Sequence, residues 1–280
     1  MSSSPVFRMK TDALVDLFGR SKALIGVIHS LPLPGAPHYD GQPVEDIYAY
    51  AVSEARAYAA GGFDGLIVEN HGDIPFAKPG EIGPETAAAM AVMTDQVRQA
   101  VGLTVGVNVL ANDAETAIAV CKASGARFFR INQWANAYVA NEGFMEGKAG
   151  RASRYRAMLR ANDLRIFTDV HVKHGAHAIV ADRTIPEMVR DVEFFDSDVC
   201  IATGQRTGDA ATGEELRTIK DAASVPVVVG SGVTPANIGE ILAVADGVIV
   251  ASSLKRDGVW WNPVDPDRVA TFAAEANRAR

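Results

Sequence analysis

Cysteine is nearly missing from this chain of 280 residues: Cys121 and Cys200 are the only two, far apart, in apolar surroundings and without metal-ligand spacing. That excludes a disulfide framework and a thiolate zinc site, and both thiols read as small buried hydrophobes of a reducing compartment. Positive charge is short as well. Lys and Arg number 27 against 34 Asp and Glu, a net charge of −7, so no broad basic face exists to neutralise a nucleic-acid backbone. No apolar run approaches the roughly 18 residues that a membrane span needs, and the start, MSSSPVFRMK, lacks the apolar stretch of an export signal. The expectation is a cytoplasmic protein with no transmembrane segment, peripheral membrane contact being left open. Three motifs are missing too: GxGxxG after the first strand, HExxH and GxSxG. Dinucleotide binding, a zincin centre and a serine-hydrolase triad thereby lose their sequence support.

What is present is an alternation. Apolar, β-branched runs occupy residues 23–28, 65–68, 103–109, 127–131, 165–170, 198–202, 225–229 and 247–250. Segments with helical apolar periodicity lie between them, at 44–60, 84–101, 113–124, 151–161, 185–195, 213–222, 235–244 and 265–277. Eight buried strands alternating with eight helices predict a single (β/α)8 TIM barrel of the phosphate-binding type, an open doubly wound sheet being the alternative. A short helix near residues 11–18 is expected to cap the barrel bottom. The expected layout is one domain over 1–280: a cap at 1–21, a barrel core at 22–264 and a last helix at 265–280. Thr234-Pro235 reads as an N-cap with proline at the first helical position, and Asn112-Asp113 precedes another helix. Gly61-Gly62 and Gly125 read as helix ends. The connections after strands are long, at 30–43, 70–83, 132–150 and 203–212, whereas those returning from helices are short. In such a barrel the long loops share the C-terminal face, where ligand sites lie.

Polar residues gather at the strand ends. RIFTDVHVKH, residues 165–174, places Asp169, His171 and Lys173 at every second position, hence on one face if the strand continues. A solvent-facing edge strand would carry the same pattern. His29 ends the first strand, Glu69-Asn70-His71 the second and Asn108 the third, while Arg130 and Asn132 share a face of the fourth. Each alone reads equally well as a capping group, but together they are costly to bury unless they bind something or each other. Asp169, His171, Lys173, Glu69 and His29 are the catalytic candidates. Asn70, Asn108, Arg130, Asn132, Gly204 and Thr207 are candidates for substrate binding. Gly230-Ser231-Gly232 opens towards a helix start and Ala251-Ser252-Ser253 follows the eighth strand, so these six are candidates for phosphate. Plain tight turns are the other reading of those glycines. No cofactor and no metal ligand is assigned. A divalent metal on Glu69, Asp169 and His171 is the lesser alternative, since no ligand spacing backs it. Trp260-Trp261 reads as packing or a subunit contact.

Eight stretches resemble the BtpA/SgcQ family over about residues 23–258: IGVIHSLPLPGAPHY, GGFDGLIVENHGDIPF, VGVNVLAND, FFRINQWANAYVANEGFMEGKA, TDVHVKH, ATGQRTG, VVVGSGVTPANI and DGVIVASSLK. The resemblance implies a phosphate-binding-type barrel, cytoplasmic or peripheral at a membrane, and brings no defined reaction or agreed catalytic residues. Gln133-Trp134-Ala135-Asn136 and Asp209-Ala210 depart from the family pattern, and are expected to alter ligand shape or charge.

Two functions follow. The first is an enzyme acting by acid/base chemistry on a small phosphorylated metabolite, a sugar phosphate or phosphoribosyl compound, as isomerase, lyase or glycosidic-bond hydrolase. Asp169 or Glu69 would be a general base with a raised pKa, and Lys173 would steady an oxyanion or form a Schiff base. The second is a non-catalytic assembly or biogenesis factor that keeps a ligand-binding barrel. Either would be a homo-oligomer. If Asp169 is catalytic, Asp169→Asn should leave stability nearly intact or raise it.

Overall fold

Parallel pairing closes eight strands into a barrel in the computed structural model, which describes residues 10–204 and 213–280. In chain order the strands are β1 (Ala23–His29), β2 (Gly65–Glu69), β3 (Thr104–Asn108), β4 (Phe128–Ile131), β5 (Ala137–Ala140), β6 (Gly143–Glu146), β7 (Arg165–Asp169), β8 (Val199–Ala202), β9 (Val227–Val229) and β10 (Gly247–Val250). The barrel runs β1-β10-β9-β8-β7-β4-β3-β2, while β5 and β6 form a separate antiparallel pair. The helices are α1 (Ala13–Phe18), α2 (Val44–Ala60), α3 (Pro84–Val101), α4 (Ala114–Ser124), α5 (Ala149–Met158), α6 (Ile185–Phe194), α7 (Gly213–Ala222), α8 (Ile238–Leu242) and α9 (Pro266–Ala279). This is the (β/α)8 barrel that the alternation predicts.

Strand alternation sorts the apolar residues into two cores. Inward positions such as Ile25, Val27, Ile67, Phe128, Phe167 and Ile201 fill the barrel, and Leu14 and Leu17 of α1 join them from below. Gly106 makes room for the Phe128 ring, which a Cβ at that position would meet at 2.4 Å. The outward positions pack against the helices in a larger shell. Local chemistry sets the helix ends. The Asp12 carboxylate accepts from the Leu14 amide at 2.9 Å to start α1, and Asp113 accepts from Thr116 at 3.0 Å to start α4. Gly125, at φ +77°, ends α4 in the left-handed region, as expected.

Three features differ from the sequence reading. Residues 132–150, expected as a loop, contain the β5–β6 hairpin, which turns at Asn141-Glu142 and enters β6 at Gly143 with φ +98°. Its Val139 exchanges hydrogen bonds with Ala176 (3.1 and 2.8 Å), which joins the hairpin to the loop after β7. The helix expected from Pro235 begins only at Ile238. Asn237 accepts from the Thr234 amide at 2.8 Å and donates to the Gly232 carbonyl at 2.9 Å, holding the intervening residues as a turn. The strand β7 stops at Asp169, so His171 and Lys173 leave the sheet rather than continuing its face.

Candidate functional site

Parallel register builds the site. His29 lies beside Glu69, Glu69 beside Asn108, and Asn108 beside Arg130 across β1, β2, β3 and β4. Neighbours in register point to the same face. His29 continues the inward series of Ile25 and Val27, and Arg130 that of Phe128, so one polar layer crowns the apolar filling. Asp169 follows Phe167 in the same way on β7.

The layer is held by charge-assisted hydrogen bonds. The Arg130 guanidinium donates from Nε and Nη2 to the two Asp169 oxygens at 3.0 and 2.9 Å, and Asn132 donates to the same carboxylate at 3.0 Å. Both partners are buried, Arg130 5% exposed and Asp169 2%. Burial pulls the Arg130 pKa down, but the charges of Asp169 and Glu69 outweigh it and leave the group firmly cationic. Asp169 is thus the counter-ion of Arg130, not an unengaged base, and Asn132 supports that pair.

Glu69 anchors the other half. His71 Nδ1 donates to Glu69 Oε1 at 2.8 Å, and Asn108 donates to Oε2 at 2.7 Å. Burial alone would raise the Glu69 pKa, yet the hydrogen bond and charge of His71, with His29 and Arg130 nearby, hold it well below the usual carboxylate range. The raised pKa expected of Glu69 is therefore corrected. His29 is buried, and that burial, with His71 beside it, pushes its pKa down to about 3, so its imidazole is neutral. Its Nδ1 lies 3.2 Å from the Trp260 carbonyl. The His29 and His71 rings stack at 4.3 Å, and the Trp260 ring meets His71 edge-on at 4.5 Å.

Other candidates fall elsewhere. The Asn70 side chain accepts from the Leu110 amide at 2.7 Å and donates to Asp73 at 2.9 Å. It is 1% exposed and braces two loops. His171 has Nδ1 3.5 Å from Glu215 and its ring 4.2 Å from His177. A metal set of Glu69, Asp169 and His171 is therefore not assembled: Asp169 is held by Arg130, and His171 faces Glu215. Lys173 Nζ lies 3.5 Å from the Ser231 hydroxyl, against the Gly230–Gly232 turn rather than beside Asp169. Gly204 follows Thr203 just past the end of β8 and is buried. Ala251 follows β10, and the turn 252–254 is tied back when Ser253 donates to the Val233 carbonyl at 2.7 Å, so the two phosphate candidates adjoin. Thr207, with Arg206 and Asp209-Ala210, lies outside the described residues.

Some participants escape a sequence reading. Trp260 is assigned there to packing or a subunit contact, yet it covers the histidines, while Trp261 beside it is 65% exposed. The stretch 133–136 turns away from the mouth: Trp134 is buried and donates to the Phe195 carbonyl at 2.7 Å, and Asn136 donates to Asp191 at 2.9 Å. Both contacts tie this stretch to α6 and the residue that follows it.

Comparison with known proteins places the chain. The profile of the BtpA family matches residues 20–278. An uncharacterised protein of Archaeoglobus fulgidus is 43% identical over 91% of this chain and 98% of its own length. The photosystem I biogenesis protein BtpA of Synechocystis is 38% identical over 92% of this chain and 89% of its own. A Caenorhabditis elegans relative, 37% identical over 93% of this chain and 95% of its own, is described as mitochondrial. Among solved structures, thiamine phosphate pyrophosphorylase from Pyrococcus furiosus superposes with a TM-score of 0.58 at 16% identity, covering 93% of this chain and 98% of that one. Phosphoribosylanthranilate isomerase from the same organism gives 0.55 at 11%, over 91% and 99%. Those likenesses concern the fold. No helix among the described residues is long and apolar enough to cross a membrane. With its profile matched over residues 20–278 and relatives covered over most of their own length, the chain belongs to the BtpA family.

Proposed function

We propose that the barrel mouth binds a small phosphorylated metabolite and acts on it by acid/base chemistry. The observation that carries this reading is the approach of Lys173 Nζ to Ser231 at 3.5 Å, which brings a cation against a turn whose Gly232 has φ +67°. A lysine beside a glycine turn is suited to phosphate, and the loops after the last two strands are the usual anion grip of this architecture. The similar folds include enzymes whose names carry a phosphorylated substrate, a thiamine phosphate pyrophosphorylase and a phosphoribosylanthranilate isomerase.

The reacting end is then the Glu69–His71 pair. An imidazole oriented by a carboxylate can hold or move a proton, and His71 is only half-buried where Glu69 is enclosed. Arg130, fixed by Asp169, orients the ligand from within. Isomerisation, lysis and glycosidic hydrolysis all remain within this equipment. A second reading, a non-catalytic biogenesis factor with a ligand-binding barrel, is favoured by the name of the Synechocystis relative.

A thermal-shift screen tests the ligand class, and turnover of a stabilising compound then separates the two readings. Sugar phosphates and phosphoribosyl compounds at about 100 times their Kd should raise the midpoint by roughly 5–10 °C. The rise should shrink in Lys173→Met and Ser231→Ala. Bulky changes at the glycines are poorer controls: a Cβ at Gly230 would meet Ile201 Cγ2 at 2.6 Å, and Gly232 has positive φ. A folded protein that no phosphorylated compound stabilises favours the biogenesis factor.

A further inference from the structure

We propose that His29, Glu69 and His71 form a binding site for one divalent transition-metal cation of the zinc or cobalt class. Among the described residues these three alone bring one ligand atom each to within 4.8 Å of one another. Two histidines and a glutamate form a donor set typical of zinc centres with open positions, and neutral imidazole prefers such cations to magnesium or calcium.

The hydrogen bonding around the cluster supplies the second observation. His29 Nδ1 faces the Trp260 carbonyl at 3.2 Å, and a carbonyl only accepts, so Nδ1 carries the hydrogen. Nε2 is left as a bare lone pair. It faces Glu69 Oε1 at 3.8 Å, which is too long for a hydrogen bond, although His29 is 7% exposed and Glu69 6%. Two electron-rich atoms of buried residues thus face each other across a gap that no hydrogen bond between them spans. Their spacing is close to the roughly 3.4 Å between ligand atoms of a tetrahedral zinc site. His71 Nδ1 lies 2.8 Å from the same oxygen, and the cation would take the place of its proton.

Charge balance agrees. Arg130 is matched by Asp169 and Lys255 by Glu54, so Glu69 leaves one negative charge in the layer for a cation to meet. The ligands also have the outer supports common at metal sites: Trp260 orients His29, and Asn108 orients Glu69 at 2.7 Å. Asn108 Oδ1 itself is buried and has no hydrogen-bond partner among the described residues. His29 also lines a cavity of about 210 Å³ with His38, Tyr50 and Trp260, which gives the site a route to solvent.

The inference rests on the proposed reading only for its reacting end, and its test uses metal alone. Chelator-treated full-length protein is titrated with Zn2+ by calorimetry and with Co2+ by visible absorption. One cation per chain is expected, with affinity reduced by more than about 100-fold in His71→Ala and Glu69→Gln, and by about 10–100-fold in Asn108→Ala. The exposed His174→Ala should bind as the parent does. Should Glu69→Gln fail to fold, His71→Ala decides, since that side chain is 18% exposed and less needed for packing. No saturable binding by the folded parent, or binding undiminished in His71→Ala, overturns the site. Either result leaves phosphate binding at Lys173 to be judged separately.

Discussion

Asp169→Ala should lower the stability of this barrel by about 3–5 kcal/mol, with a melting midpoint about 10 °C below that of the parent. The cause is Arg130. Its guanidinium is 5% exposed inside the barrel mouth and donates to both Asp169 oxygens at 3.0 and 2.9 Å. Removing the carboxylate leaves that charge out of water, and the Asn132 amide loses its acceptor as well. Asp169→Asn keeps the shape but not the charge, so an intermediate loss is expected. The sequence alone suggests the opposite, that this change would be neutral or stabilising, as for a strained catalytic acid. Urea unfolding of the single variants and of Arg130→Met/Asp169→Leu checks the argument. The double variant should recover much of the loss, because an absent ion pair costs less than half of one. Unchanged stability in Asp169→Ala would mean that the pair is not formed.

Glu54→Ala should be as damaging, for a related reason in a different place. Lys255 is 0% exposed and Glu54 3%, and the two form an ion pair between α2 and the segment after β10. The other Glu54 oxygen accepts from the Val264 amide at 2.6 Å. One substitution thus strands a buried ammonium and a buried N–H, at a cost of about 4–5 kcal/mol. The pH dependence carries a signature. Burial already lowers the Lys255 pKa and Glu54 opposes that, so the variant's lysine titrates lower still. A lysine whose folded pKa lies below its unfolded value binds more protons when unfolded, so stability is lost as pH falls and regained as it rises. Glu54→Ala should therefore be partly rescued at alkaline pH, and Glu54→Ala/Lys255→Met should remove that rescue. A loss below about 1 kcal/mol, or one independent of pH, would contradict the buried pair.

Much of the barrel is legible in the chain because a parallel strand buried on both faces is a continuous apolar run, and these runs alternate with periodic helices. The polar crown is legible for the same reason: His29, Glu69, Asn108, Arg130 and Asp169 interrupt apolar strands at their ends. Their pairing is not. Which carboxylate meets which cation depends on register between strands, so Asp169 looks like a base until Arg130 is set beside it. Long-range partners are hidden further. Glu54 and Lys255 lie 201 residues apart, and only the closure of β1 on β10 brings their neighbourhoods together. The early end of β7 redirects Lys173 to Ser231, and nothing in the alternating Asp-His-Lys pattern marks that break. The hairpin did leave a trace, since Asn141-Glu142-Gly143 lies between short apolar stretches and suits a tight turn.

The proposed site has two parts, an anion grip at Lys173 and Ser231 and a His–Glu cluster on β1 and β2, which lie on the other side of the strand ring from β8. The proposed grip is open to direct measurement with inorganic phosphate as the probe. Calorimetric titration of the parent and of Lys173→Met should give saturable binding to the first, weakened about tenfold or more in the second with little change in melting midpoint. A folded parent that does not bind phosphate, or a Lys173→Met variant that binds it equally well, would contradict the account.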